Sequence, residues 1–186
     1  MNLEKLLREF VALIADGTLK EDIYNEFSLQ HELGIFLRAK LSDYKVQFER
    51  NTSFFEIGGT IKHEIDIVIY NDNEKHAIEL KYPRQGQYPE QMFSFVKDIK
   101  FVEQLRNHGF DSTYCLTLVD DRLFYEGPTQ DGIYSYFRGA TPINGLVRQP
   151  TGQKKESYQI CGSYSINWEK CGGQMKYYIV KASSIA

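Results

Sequence analysis

The sequence has few of the residues that hold small secreted proteins together. Only three cysteines occur among its 186 residues, and Cys161 and Cys171 are the two that could pair in an oxidising compartment. Residues 1–10 carry four charged side chains, which does not fit a signal peptide. We therefore expect free thiols and a cytoplasmic protein.

Other absences exclude whole classes of function. No apolar run approaches the length that spans a bilayer, so we expect no membrane association. Neither a CxxC pair nor a histidine cluster is present to hold zinc. Gly58-Gly59 is too short to be a phosphate-binding loop, and no Ser-His-Asp or Cys-His spacing stands out. A metal-free enzyme of another class is therefore poorly supported.

Charge is unevenly distributed along a chain whose net charge is only −3. Residues 1–140 hold 16 basic and 23 acidic side chains, a balance of −7, whereas residues 141–186 hold 6 and 2, a balance of +4. The acidic body argues against a protein that coats DNA. The basic C-terminal segment is either a phosphate-contacting surface or simply a solvated one.

The length fits one domain over residues 1–186, and 42% hydrophobic residues are enough for a sizeable core. Hydrophobic spacing predicts helices over about 3–14, 22–41 and from Pro89 to about 107. It predicts strands over 44–55, 64–70, 76–82 and 112–119. This order indicates an α/β fold with a mixed central β-sheet flanked by helices, whose core spans about 22–120.

The remaining residues, about 121–186, are predicted to form a C-terminal extension. Residues 141–155 contain two prolines and two glycines and are expected to be a long loop. Residues 163–171 and 174–181 flank Gly172-Gly173, which predicts a closing β-hairpin.

The two strands at 64–70 and 76–82 carry the residues of greatest chemical interest. Ile65, Ile67 and Ile69 alternate with Asp66, and Asn71-Asp72-Asn73 predicts a tight turn between the strands. Strand periodicity places Glu79 and Lys81 on one face, and the hairpin brings Asp66 beside them. Two carboxylates and an ammonium then converge on one patch.

Such a patch suits metal-dependent hydrolysis. Carboxylate oxygens of Asp66 and Glu79 are the ligands that Mg²⁺ or Mn²⁺ prefers. A bound metal lowers the pKa of a water molecule and polarises a phosphoryl oxygen. Lys81 could then orient the attacking water or help to deprotonate it, and neutralise developing charge on the phosphate.

The pattern Asp66 … Glu79-Leu80-Lys81, in a hairpin between two helices, resembles the PD-(D/E)xK nuclease superfamily. The resemblance covers about 22–120 and implies a restriction-endonuclease-like fold, a bound Mg²⁺ or Mn²⁺ and cleavage of DNA. It also implies a catalytic role for Glu32 on the preceding helix and a metal or substrate contact for Gln91. Ile65 stands where the family name has proline, and the helix after Pro89 lacks a full QxxxY pattern.

Further residues are candidates for substrate contact. His63 immediately precedes the hairpin, and Arg148, Lys154 and Lys155 lie in the basic segment. The same segment could instead close the fold or mediate a homodimer, which many double-strand cutters need. The alternative to catalysis is a nuclease-fold module that binds nucleic acid or protein, in which Lys81 forms a structural ion pair with Glu79 or Asp66.

Overall fold

The computed structural model describes residues 1–84, 86–152 and 156–183. Four helices are present in these ranges: α1 (Leu3–Ala15), α2 (Glu26–Lys40), α3 (Tyr88–Asn107) and the single turn α4 (Tyr134–Phe137). The strands are β1 (Lys45–Asn51), β2 (Glu64–Tyr70), β3 (Lys75–Lys81), β4 (Ser112–Val119), β5 (Ile143–Arg148), β6 (Ser157–Tyr164), β7 (Glu169–Lys170) and β8 (Lys176–Lys181). None of the helices in the described ranges is long and apolar enough to cross a bilayer.

A six-stranded mixed sheet forms the centre, in the order β1-β2-β3-β4-β8-β7. Among the strands of the described residues only β3 and β4 run parallel, and α3 supplies the crossover that a parallel pair requires. β5 and β6 form a separate two-stranded sheet that packs on α3. The predicted α/β class and the mixed sheet flanked by helices are confirmed.

The two faces of the sheet are covered by different helices. Ile67 and Ile69 pack toward α1 and α2, whereas Val68 and Ala77 pack toward α3. The expected alternation fails at Ile65, which joins the α3 side. The pairing of β2 with β3 extends from the turn only as far as the Ile67–Ile78 pair, whereas β2 stays paired with β1 through Ile65 and Glu64.

Local capping explains where two elements differ from the prediction. The helix expected from about residue 22 begins at Glu26, because Asn25 and Ser28 form a reciprocal capping box. The strand expected over 44–55 ends at Asn51, whose side chain accepts a 2.9 Å hydrogen bond from Ser53 N and starts a 3-10 turn. The later start of the helix puts Glu26 in the first turn of α2.

The C-terminal part is more integrated than expected. The predicted turn at Gly172-Gly173 is present, with φ of 87° and 56°, and it joins β7 to β8. However, β8 pairs with β4 along six residues, so it belongs to the central sheet rather than to an extension. The expected loop over 141–155 contains β5, whose alternation is short and is interrupted by Gly145 at φ 72°.

A buried carboxylate fastens the small sheet to the large domain core. Glu103, in α3, is fully buried and accepts hydrogen bonds from Cys161 N at 3.0 Å, Gly162 N at 2.6 Å and the Tyr164 hydroxyl at 3.0 Å. The three cysteines are free, with Cys115 and Cys171 buried and Cys161 exposed.

Candidate functional site

Asp66 and Glu79 meet where the β2–β3 ladder ends. Asp66 N donates a 3.2 Å hydrogen bond to Glu79 Oε1. The Asp66 carboxylate in turn accepts a 2.7 Å hydrogen bond from Leu80 N, using Oδ2. Each carboxylate therefore accepts a hydrogen bond from a backbone N–H of the opposite strand, and the predicted convergence of these two residues is present.

Both carboxylates are in an environment that disfavours their charge. Glu79 is 1% exposed, and burial, with the Asp66 charge second, raises its pKa well above the ordinary value. Burial also raises the pKa of Asp66 to about 6, although the Lys62 ammonium and the Leu80 N–H oppose the shift. Two strongly perturbed acids at one position are typical of functional sites.

Lys81 shares the patch but does not contact Asp66 or Glu79 directly. Its Nζ lies 3.2 Å from Glu26 Oε1 and 3.4 Å from Asp98 Oδ2. Burial disfavours the ammonium form of Lys81, but Asp98, Glu26 and Asp66 outweigh it and raise the pKa. Lys81 is therefore a fixed cation at the edge of the acidic patch.

Asp98 and Lys62 were not anticipated from the sequence. Asp98, in α3, is 3% exposed, and its Oδ1 lies 3.1 Å from Lys62 Nζ. Lys62, in the irregular segment before β2, also hydrogen-bonds Glu79 Oε2 and lies 4.0 Å from Asp66 Oδ1. Burial disfavours the charge of Lys62, but the surrounding carboxylates outweigh it and raise the pKa.

These contacts define a charged cluster of four carboxylates and two ammonium groups: Glu26, Asp66, Glu79 and Asp98 with Lys62 and Lys81. With every group ionised the cluster has two negative charges in excess, of which one remains in the buried part when Glu26, whose side chain is 44% exposed, is set aside. A buried excess charge is expensive, so protons or a cation must offset it. The pKa of Asp66 and that of Glu79 are both raised, so these carboxylates bind protons more readily and the protons offset part of the excess charge.

The carboxylate oxygens of the charged cluster suit a divalent cation, but their present arrangement leaves no position for one. Asp98 Oδ2 is buried and accepts no hydrogen bond from the part of the chain that the structure describes, although the Lys81 ammonium lies 3.4 Å away as an ion-pair partner. Carboxylate oxygens of this kind suit Mg²⁺ or Mn²⁺. Yet within residues 1–84, 86–152 and 156–183 no three His, Cys, Asp or Glu side chains already surround a common metal position. Lys62 Nζ lies among the carboxylates instead.

A pocket of about 260 Å³ leads to this cluster from the side of α2. Its lining residues are Glu26, Phe27, Gln30, Glu49, Asp66 and Leu80. Gln30 Nε2 donates to Glu49 Oε1 at 2.5 Å and to Asp66 O at 2.8 Å. Glu49 has a φ of 47°, a left-handed conformation that costs a non-glycine residue on the order of 1 kcal/mol.

Glu32, the helix carboxylate expected at the site, does not line this pocket. An α-helix turns by about 100° per residue, so Glu32 lies roughly 200° around α2 from Gln30. Its side chain instead contacts His31, with 3.0 Å between Oε1 and Nδ1. Glu26 is the carboxylate of α2 that reaches the cluster, and it also accepts a 3.1 Å hydrogen bond from Tyr82 N.

The candidate substrate-binding residues are dispersed. Gln91 lies two turns before Asp98 on the same face of α3, since seven residues are nearly two full turns. His63 is exposed next to Lys62, and its carbonyl accepts a hydrogen bond from Thr52 N. Arg148 is exposed at the end of β5. Lys154 and Lys155 lie outside the described residues.

Comparison with known proteins adds no assignment. No protein-family model, no curated protein and no solved structure matches the chain.

Proposed function

We propose that the chain is a metal-dependent nuclease of the PD-(D/E)xK type, with the charged cluster as its catalytic centre. The observation that supports this most is the contact of Asp66 with Glu79 at the open end of a hairpin, with Lys81 two residues further on. The order α2, β1, β2, β3, α3, β4 agrees with the restriction-endonuclease-like fold that the resemblance implies.

In this proposal Asp66 and Glu79 hold Mg²⁺ or Mn²⁺, and Asp98 is a third oxygen donor within reach. A bound divalent ion supplies a water of lowered pKa and an electrophile for the phosphoryl oxygen. The protein contributes a preorganised environment that excludes most water, because Glu79 and Asp98 are almost fully buried.

Lys81 is the group that we assign to the attacking water and the scissile phosphate. Contacts with Glu26 and Asp98 fix the position of its ammonium, so it needs little reorganisation when charge develops nearby. Its raised pKa keeps it protonated at neutral pH, which suits a role in orienting water and stabilising charge rather than in removing a proton.

DNA is the proposed substrate, and one exposed side chain supports a nucleic-acid partner. Phe27, at the mouth of the pocket, is 73% exposed. Aromatic rings in this situation stack on unpaired bases, and such stacking contributes about 1–3 kcal/mol per base. The basic residues of the C-terminal segment would offset the repulsion between the acidic body and the phosphates.

The position of Lys62 favours a second candidate, a catalytically inactive module that keeps the nuclease fold. Its ammonium lies among three carboxylates and so satisfies much of their charge without any metal. In that case the cluster is a structural ion network that fixes the segment before β2 to α3.

A cleavage assay separates the two candidates. Plasmid and linear single-stranded DNA are incubated with the wild type and with Asp66→Asn, Glu79→Gln and Lys81→Gln, in Mg²⁺, Mn²⁺ or EDTA. We expect metal-dependent cleavage that each substitution lowers by at least 100-fold, whereas Glu32→Gln, a matched charge change outside the pocket, retains it. Full activity in EDTA or in Glu79→Gln would overturn the proposal, and no cleavage by the wild type would favour the inactive module.

A further inference from the structure

The segment between the 3-10 turn and β2 delivers a single ammonium into the charged cluster. Lys62 Nζ hydrogen-bonds Glu79 Oε2 and Asp98 Oδ1 and lies 4.0 Å from Asp66 Oδ1. No other basic side chain in the described residues forms an ion pair with Asp66 or Glu79. Lys62 is therefore placed where a cation would contact all three carboxylates.

We infer that Lys62 occupies the position of the divalent ion in the metal-free protein, and that binding of the ion displaces its ammonium. This inference rests on the proposed function. It assigns to Lys62 a role in regulating the same centre, because its ammonium competes with the metal for the carboxylates. The affinity for Mg²⁺ or Mn²⁺ is then lowered by the free energy needed to displace that ammonium.

The two cations cannot share the position, because each needs the same oxygens. A divalent ion and an ammonium within a few ångströms of one another repel strongly in a buried, poorly screened site. Displacement also explains why the described residues include carboxylates suited to a metal ion, but no three of them are positioned around a common metal site. They are drawn in around Lys62 Nζ.

Lys62 can leave while its backbone stays in place. The backbone around it is anchored independently, since Thr52 N donates to His63 O at 2.8 Å and Ile61 N donates to Gln104 Oε1 at 2.9 Å. The side chain is 22% exposed, so it already has a path toward solvent, and its four-carbon stem has free rotation.

Lys81 provides a contrast within the same cluster. Its ammonium is held by Glu26 and Asp98 and forms no ion pair with Glu79, and we expect it to remain there when the ion binds. Substituting Lys81 removes the same charge from the same cluster without vacating the position among Asp66, Glu79 and Asp98. It is therefore the matched control for an effect of charge alone.

The test is Mn²⁺ binding measured by isothermal titration calorimetry. We expect Lys62→Gln to bind Mn²⁺ at least tenfold more tightly than Lys81→Gln does, and both to bind at least as tightly as the wild type. Equal affinities of the two variants, or weaker binding by Lys62→Gln, would overturn the inference. Mn²⁺ binding without DNA cleavage by the wild type would overturn the proposed function alone, and no Mn²⁺ binding by any of the three would contradict both.

A measurement on the wild type keeps the inference testable if Lys62→Gln fails to fold. Lysine acetylation by an N-hydroxysuccinimide ester is followed by mass spectrometry with and without saturating Mn²⁺. We expect the reactivity of Lys62 to rise by at least fivefold, with no rise at Lys81 or at the exposed Lys5. An unchanged or slower reaction at Lys62 would contradict displacement.

Discussion

Lys62 Nζ lies 3.1 Å from Asp98 Oδ1, although the two residues are separated by the whole β2–β3 hairpin and half of α3. This contact closes the charged cluster between the irregular segment before β2 and the middle of the helix. The proposed catalytic centre should therefore also affect the stability of the fold, because four carboxylates held close together repel one another.

Removing one carboxylate should stabilise the metal-free protein. The pKa of Asp66 is raised to about 6 from an ordinary value near 3.9, so the folded state is penalised wherever the group is ionised. A raised carboxyl pKa means that stability present at low pH is lost as the pH rises from about 4 through 6. At pH 8 in EDTA we expect Asp66→Asn to be about 1–3 kcal/mol more stable in urea unfolding.

The control for this prediction is the opposite charge change. Lys62→Gln leaves four carboxylates against one ammonium, and it should be less stable than the wild type under the same conditions. If Asp66→Asn were the less stable of the two, the assignment of an excess negative charge to the cluster would be wrong.

Glu26 and Glu32 lie on the same helix but should differ in their effect on activity. Glu26 contacts Lys81 and Tyr82 N, so Glu26→Gln should loosen the ammonium and lower kcat for DNA cleavage by about tenfold or more. Glu32→Gln removes a carboxylate that contacts His31 and should leave kcat within about twofold. Steady-state cleavage rates decide between them, and a loss confined to Glu32→Gln would restore the role that the family resemblance implies.

His76 should make the protein less stable in acid. It is 2% exposed, and burial lowers its pKa below the ordinary value, although Glu74 opposes the shift. The unfolded chain then binds a proton more readily, so stability is lost as the pH falls below about 6.5.

Urea unfolding at pH 7.5 and pH 5.5 measures this effect. The wild type should lose more stability over this interval than His76→Gln does, because only the wild type carries a buried imidazole whose pKa is lowered. His63→Gln, which removes an exposed histidine, serves as the control and should keep the full dependence on pH. Parallel losses in the wild type and His76→Gln would exclude His76 as the titrating group.

The basic C-terminal segment should contribute to the salt dependence of DNA binding. Changing Arg148, Lys154 and Lys155 to alanine should flatten the slope of log K against log salt by up to about three, because each phosphate contact contributes about 0.9. Fluorescence anisotropy over a salt series measures it. A triple alanine variant at Lys5, Lys20 and Lys40 provides the same change in net charge on the N-terminal part, and an equal flattening there would make the effect one of net charge alone.

Regular local patterns were enough to predict most of the central fold. β2 and β4 have the bounds that alternation and a buried β-rich run indicate, and α3 begins beside Pro89 as expected. β5 was missed because it is short and is interrupted by Gly145. β8 was expected in a separate hairpin, since nothing local to its sequence indicates that its partner is β4.

The same reasoning explains which site residues were found. Glu79 and Lys81 follow from strand periodicity, but Lys62 lies in irregular chain, where no period exists to place it. Asp98 had a usable signal, because it stands three residues after Phe95 and four before Val102, within the apolar stripe of α3. A carboxylate in such a stripe is buried, and a buried negative charge needs a partner of opposite charge. An acidic residue in an apolar stripe therefore indicates a basic partner nearby.

The central claim is that Asp66 and Glu79 share a divalent ion, and a crystal structure of the wild type soaked in Mn²⁺ tests it most directly. Anomalous scattering identifies the metal. We predict one Mn²⁺ within about 2.5 Å of a carboxylate oxygen of both Asp66 and Glu79, with the Lys62 ammonium moved away from them. Lys62 still bound to Glu79, with no metal peak among the carboxylates at a concentration that supports DNA cleavage, would contradict the account.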